Sequence, residues 1–110
     1  MTDKIVVLSS CGSAGEAESL AESLIEKRLA ACVSILPGVQ SVYHWQGAVQ
    51  RTSEFLLIIK STRALFPPLR EELLRMHSYE TPEVLALTVV DGSARYLEWI
   101  DREVVLPSTQ

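Results

Sequence analysis

The chain has 110 residues, enough for one domain (residues 1–110) with one modest core. Apolar residues make up 47% and charged residues 22%, the composition of an ordered globular protein with more apolar side chains than a monomer of this size needs, so some are expected to face a partner. A formal net charge of −4 and the lack of a Lys/Arg stripe argue against a nucleic-acid partner. The apolar runs FLLIIK and EVLALTVV fall far short of the roughly 20 residues that span a bilayer, so no membrane partner is expected. The first residues lack the long apolar region of a signal peptide, which points to the cytoplasm.

KIVVLSS, at the start, reads as a strand buried on both faces. Ser13 is then a helix N-cap with Glu16 three residues on, and Ala17, Leu20, Ala21, Leu24 and Ile25 recur at helical spacing, predicting an amphipathic helix from about Ala14 to about Ala30. From ACVSILPGVQSVYHWQG to AVQRTSEFLLIIKS the pattern becomes β-branched, aromatic and alternating, which predicts two long strands joined at Gln46-Gly47. Pro37-Gly38 demands a bulge, bend or edge in the first of them.

Leu65, Leu69, Leu73 and Met76 mark a second helix, with Pro67 and Pro68 tolerable only in its first turn. EVLALTVV is expected to be a buried strand, Asp91-Gly92 a turn, and Ser93 the cap of a short final helix with an apolar face of Tyr96, Leu97 and Ile100 near Trp99. The order β-α-β-β-α-β predicts an α+β ferredoxin-like sandwich, two helices on one face of an antiparallel sheet, followed by a short C-terminal helix.

Residues able to carry chemistry are few. In MHSYETPEV, His77 is the sole credible general base or metal ligand, although a histidine in the last turn of a helix also suits the negative end of the macrodipole and the free carbonyls there. Tyr79, Glu80, Thr81 and Glu83 surround Pro82 in a rigid connector that serves as a turn or a pocket rim. Tyr43, His44 and Trp45 crowd a hairpin tip, which favours a subunit contact or a binding rim over a solvent-facing loop. Lys60 closes an apolar strand, where it attracts an anionic ligand or snorkels to the edge. Cys11 and Cys32 lack zinc or redox spacing; both are expected reduced, Cys32 as a small buried residue and Cys11 as a loop thiol. Nucleotide-binding, serine-hydrolase and zinc-protease signatures are missing from the sequence and no nucleophile stands beside a positioned base, so binding is expected rather than catalysis. An enzyme using His77 and Glu80, and a purely structural or regulatory assembly read by a protein partner, are the alternatives.

The segments AACVSILPGVQSVYHWQG, FLLIIKS, HSYETPEVLAL and YLEWI together resemble the CutA family of divalent-cation-tolerance proteins in order and spacing. The resemblance implies a homotrimer in which the long hairpins pair between subunits, similar in architecture to PII-type signalling proteins, and a role in tolerance of or response to divalent metals, copper among them. It implies a cleft between subunits lined by Tyr43, Trp45, Lys60, His77, Tyr79, Glu80 and Trp99, open to a metal ion or a small anionic ligand. The family's copper ligands are a cysteine at the end of the first strand and a histidine pair. Here Ser9 holds the cysteine's place with Cys11 two residues later, and the pair reads Met76-His77, so the implied copper set is Met76, His77 and Cys11, a soft combination suited to Cu(I). Ser78 stands where the family usually has proline.

Overall fold

The computed structural model describes residues 1–107. Four strands, β1 (Lys4–Cys11), β2 (Cys32–Trp45), β3 (Ala48–Thr62) and β4 (Leu85–Thr88), form one sheet in the order β2-β3-β1-β4. Every neighbouring pair is antiparallel. Helices α1 (Ala14–Glu26) and α2 (Phe66–Met76) cover one face, and α3 (Ala94–Glu103) follows β4. This is the ferredoxin-like arrangement that the element order implies.

Strand alternation divides the sheet cleanly. Ile5, Val7, Ser9 and Cys11 of β1 and Leu57, Ile59 and Ser61 of β3 turn toward the helices and are buried. There they meet Leu20 and Leu24 of α1 and Leu65, Leu69 and Leu73 at and in α2. On the other parity Val6, Leu8, Leu56 and Ile58 are only half-buried, while Lys4, Ser10, Glu54 and Thr62 at its ends are buried. Leu85 and Leu87 of β4, paired with Leu8 and Val6, are 56% and 49% exposed, so this second face is apolar and open. The expectation of a buried last strand is corrected accordingly: β4 has four residues, all exposed, because it forms the edge of the sheet. α3 packs against β3, and Lys4 Nζ meets Asp101 of that helix at 3.1 Å.

α1 begins as the sequence predicts, with Ser13 Oγ accepting from the Glu16 N–H at 3.2 Å. It ends at Glu26 rather than near Ala30. Arg28 takes the left-handed conformation (φ 59°), and the Arg28 and Leu29 N–H groups donate back to the Ile25 and Leu24 carbonyls. That is a Schellman closure built without glycine, so composition offers no stop signal. Pro67 and Pro68 do sit in the first turn of α2. Ser93 occupies the N-cap position of α3, but its hydroxyl makes no capping bond.

β2 and β3 pair along their whole length, with the expected bulge between Leu36 and Val39, where Gly38 has φ 72°. Gln46 and Gly47 both have positive φ (51° and 79°), the requirement of a two-residue type I′ turn. β1 ends where Cys11 pairs with Phe55, so the hairpin from Val39 to Glu54 continues past the end of β1 and pairs only with itself.

The cysteines exchange their expected roles. Cys11 is not a loop thiol but the last residue of β1, wholly buried on the helix-facing parity, while Cys32 is half-buried on the open-face parity. Both are free, and the sheet lies between them.

Candidate functional site

His77 terminates α2: its N–H donates to the Leu73 carbonyl at 2.9 Å and its backbone turns extended. The ring is buried, and it serves the neighbouring strand rather than its own helix. Nε2 lies 2.7 Å from the Ser10 carbonyl oxygen and Nδ1 lies 3.0 Å from the Tyr79 backbone nitrogen. A carbonyl only accepts and an amide N–H only donates, so Nε2 carries the proton and Nδ1 offers its lone pair to Tyr79: the bonds define the neutral Nε2–H tautomer. Both nitrogens are engaged.

Around this ring the connector is tied down from two sides. Glu16 does not close a capping box on α1; its carboxylate accepts from the Ser78 N–H (2.8 Å) and the Ser78 hydroxyl (2.9 Å), and stands 3.6 Å from His77 Nδ1. The Tyr79 ring lies 4.8 Å from the imidazole, and its hydroxyl donates to Glu54 on β3 at 2.9 Å. Burial, then the Glu54 carboxylate, push the Tyr79 phenol up to about 12, so it stays a donor through the physiological range. A Cβ at Gly12 would stand 3.2 Å from that hydroxyl, and glycine there lets the phenol reach Glu54 over the end of β1.

Within one chain each donor of the implied copper set is otherwise engaged. Besides the occupied imidazole, Met76 is half-buried against the helix-side core, and Cys11 is buried, its thiol pushed up by desolvation and directed at the Ser13 carbonyl at 3.6 Å. Among the described residues no group of three or more His, Cys, Asp or Glu side chains is placed to hold a metal ion. Ligation through His77 would require one of its two hydrogen bonds to break.

The remaining cleft candidates lie elsewhere. Tyr43 faces Gln50, four residues from Glu54, and Trp45 faces Ala48, six residues away. At about 3.3 Å per residue the two aromatics stand about 13 and 20 Å from Glu54 along the hairpin. Both are exposed, although the Tyr43 hydroxyl bonds Thr52 Oγ1 at 2.8 Å. Lys60 lies six residues from Glu54 in the opposite direction, on the open face, with Nζ donating to Ser34 Oγ at 2.9 Å. Trp99 stacks on Tyr96 within α3, centroids 5.6 Å apart. Glu80 is an exposed connector residue. One chain therefore unites His77 and Tyr79 with Glu16, Glu54 and Ser78 and leaves Glu80 exposed on the adjoining connector, while the hairpin tip and Lys60 stand apart along β2 and β3. Sequence reasoning missed Glu16 and Glu54; the one available signal was a carboxylate, Glu54, directly preceding the apolar run FLLIIK.

Comparison with known proteins fits this architecture. Residues 5–103 match the family model described as CutA1 divalent ion tolerance protein. The divalent-cation tolerance protein CutA of Thermus thermophilus is 44% identical over 86% of this chain and 92% of its own length. The chloroplastic protein CutA of Arabidopsis thaliana is 47% identical over 87% of this chain, which spans 53% of that longer protein. Among solved structures, the Thermus thermophilus protein superposes with a TM-score of 0.90 at 41% identity, covering 93% of this chain and 99% of the other. The periplasmic divalent cation tolerance protein CutA of Archaeoglobus fulgidus superposes with a TM-score of 0.90 at 37% identity, covering 93% and 99%. This chain belongs to the CutA1 divalent ion tolerance family.

Proposed function

We propose that the protein works as a homotrimer in divalent-cation tolerance, acting by binding rather than by catalysis, with a metal ion or small ligand held in clefts between subunits. The observation that carries this reading is the open sheet face. Leu36, Leu85 and Leu87 are exposed beside half-buried Leu8, Leu56 and Ile58, and a hairpin bearing Tyr43, Trp45 and Val49 projects beyond the sheet. A monomer has no use for so continuous an apolar surface. A two-stranded ribbon is marginal in water until something packs on it. Copies that lay their hairpins over each other's open faces would cover both and carry Tyr43 and Trp45 toward a neighbour's Tyr79 and Glu80.

For the occupant, the geometry disfavours direct ligation of copper by His77, which acts as a strut between α2 and β1. A divalent ion in the cleft would need donors from more than one subunit. The cytoplasm is the proposed compartment, consistent with two free thiols. Light scattering on the native protein and on Leu87→Lys tests the assembly. We expect three times the chain mass for the native protein and dissociation for the variant, whose substitution sits on a half-exposed position of the single chain. A native monomer would overturn the reading.

A further inference from the structure

We propose that a cavity in the helical layer, on the side of the molecule opposite the open sheet face, binds a small zwitterion of the α-amino-acid class, its carboxylate held by Lys27 and Arg75 and its ammonium by Glu71. This site goes beyond the cleft reading above and does not depend on the trimer.

The cavity has a volume of about 600 Å³, the size of a small-molecule site. One wall is the end of α1, with Lys27 and Leu29, and another is α2. On α2 the lining residues Pro68, Glu71, Glu72 and Arg75 recur at spacings of three and four, which places them along one side of the helix. Pro107, in the segment after α3, closes the third side. That segment is pinned to the end of α1, because the Val105 N–H donates to the Arg28 carbonyl at 3.0 Å.

Four charged side chains line the cavity, and their pairing is lopsided. Buried Glu72 takes both cations: Lys27 Nζ and Arg75 Nη2 meet the same oxygen, Oε2, at 2.9 and 2.8 Å. Both cations are largely exposed, and most of their protons are left for other acceptors once Glu72 is served. Glu71 is exposed and has no cation within ion-pair distance among the described residues. The cavity therefore carries surplus positive charge where two cations share one carboxylate, and an uncompensated negative charge at Glu71. A ligand carboxylate suits the first, since its two oxygens can bridge an ammonium and a guanidinium that already converge on one atom. A ligand ammonium suits the second. An anion alone would still face Glu71, and a cation alone would face Lys27 and Arg75. Leu29, Pro68 and Pro107 offer apolar surface to an aliphatic side chain.

Amide chemical-shift titration of the native protein with L-leucine, with N-acetyl-L-leucine, which lacks the ammonium, and with L-leucinamide, which lacks the carboxylate, tests the site. With L-leucine we expect saturable shifts at Leu29, Glu71, Glu72 and Val105 and a dissociation constant of about 1 mM. Each analogue should bind about tenfold more weakly or worse. Lys27→Met and Glu71→Gln alter exposed side chains, and each should weaken L-leucine by about tenfold. Glu71→Gln should in addition bring L-leucine and N-acetyl-L-leucine to similar affinity. No saturable shift at these amides, or shifts confined to the sheet, would overturn the proposal. N-acetyl-L-leucine binding the native protein as well as L-leucine would make this a simple anion site, and L-leucinamide doing so a cation site; either result overturns the zwitterion. Unweakened binding of L-leucine in either variant overturns it too. If a variant does not fold, the comparison of the three ligands on the native protein decides alone.

Discussion

Replacing Glu72 by glutamine removes one charge from the junction that holds α2 against α1 and thereby delivers His77 to β1. The Glu72 carboxylate is 8% exposed and accepts from Ser23 Oγ (2.6 Å), Lys27 Nζ (2.9 Å) and Arg75 Nη2 (2.8 Å). The Arg75 guanidinium is the main cause holding it from an ordinary 4.5 down to about 2, against a burial penalty, with Lys27 and Ser23 assisting. At 1.36 kcal/mol per pH unit that depression has a ceiling of about 3 kcal/mol. Lys27 and Arg75 are 52% and 63% exposed, so solvent screening reduces the working value to about 1–2 kcal/mol. Because the folded value lies below the unfolded one, this stability is present above pH 4.5 and is lost as pH falls toward 2, dropping to less than about half by pH 3. Urea unfolding of native protein and Glu72→Gln at one fixed chain concentration should give a difference of about 1–2 kcal/mol at pH 7 that shrinks markedly at pH 3. A difference that is absent at pH 7, or equal at both pH values, would refute the electrostatic account.

Ser9 Oγ is buried without a hydrogen-bond partner among the described residues, so Ser9→Ala should leave the protein unchanged or about 1 kcal/mol more stable in urea unfolding; a clear destabilisation would mean that the hydroxyl has a partner. His77→Ala should cost about 2–4 kcal/mol by orphaning the Ser10 carbonyl and the Tyr79 N–H. Calorimetry with Cu(II), and with Cu(I) under reductant, should find the same weak binding before and after this substitution; loss of tight copper binding would make the imidazole a ligand. Thiol titration should find two free thiols per chain on denaturation, with Cys32 reacting well before buried Cys11 in the native protein.

Much of the frame was legible because local chemistry and tertiary demand agree there. Ser13 caps α1, the two prolines fall in the first turn of α2, Gly38 takes the bulge, and Gln46-Gly47 makes the turn. What escaped depends on contacts distant in sequence. Arg28 adopts a conformation usually left to glycine, and the C-terminal segment docks on it through the Val105 N–H and Glu103. Glu16, read as half of a capping box, spends its carboxylate on Ser78, 62 residues away. The cysteines changed places because β1 runs one residue further than its apolar pattern, carrying Cys11 onto the buried parity. The site was half legible for the same reason: His77 and Tyr79 share a connector, whereas Glu54 joins them only through folding, and Tyr43, Trp45 and Lys60 remain separate within one chain.

The central claim is that the projecting hairpin and the open sheet face are covered by other copies of the chain, and amide hydrogen exchange on the native protein tests it most directly. An uncovered two-stranded ribbon opens readily, so its amides exchange at close to unprotected rates. The account predicts that the amides from Gln40 to Trp45 and from Val49 to Thr52 are protected to within about tenfold of the Val7 and Ile59 amides in the sheet centre. Near-unprotected exchange of the hairpin beside a protected sheet centre would contradict it.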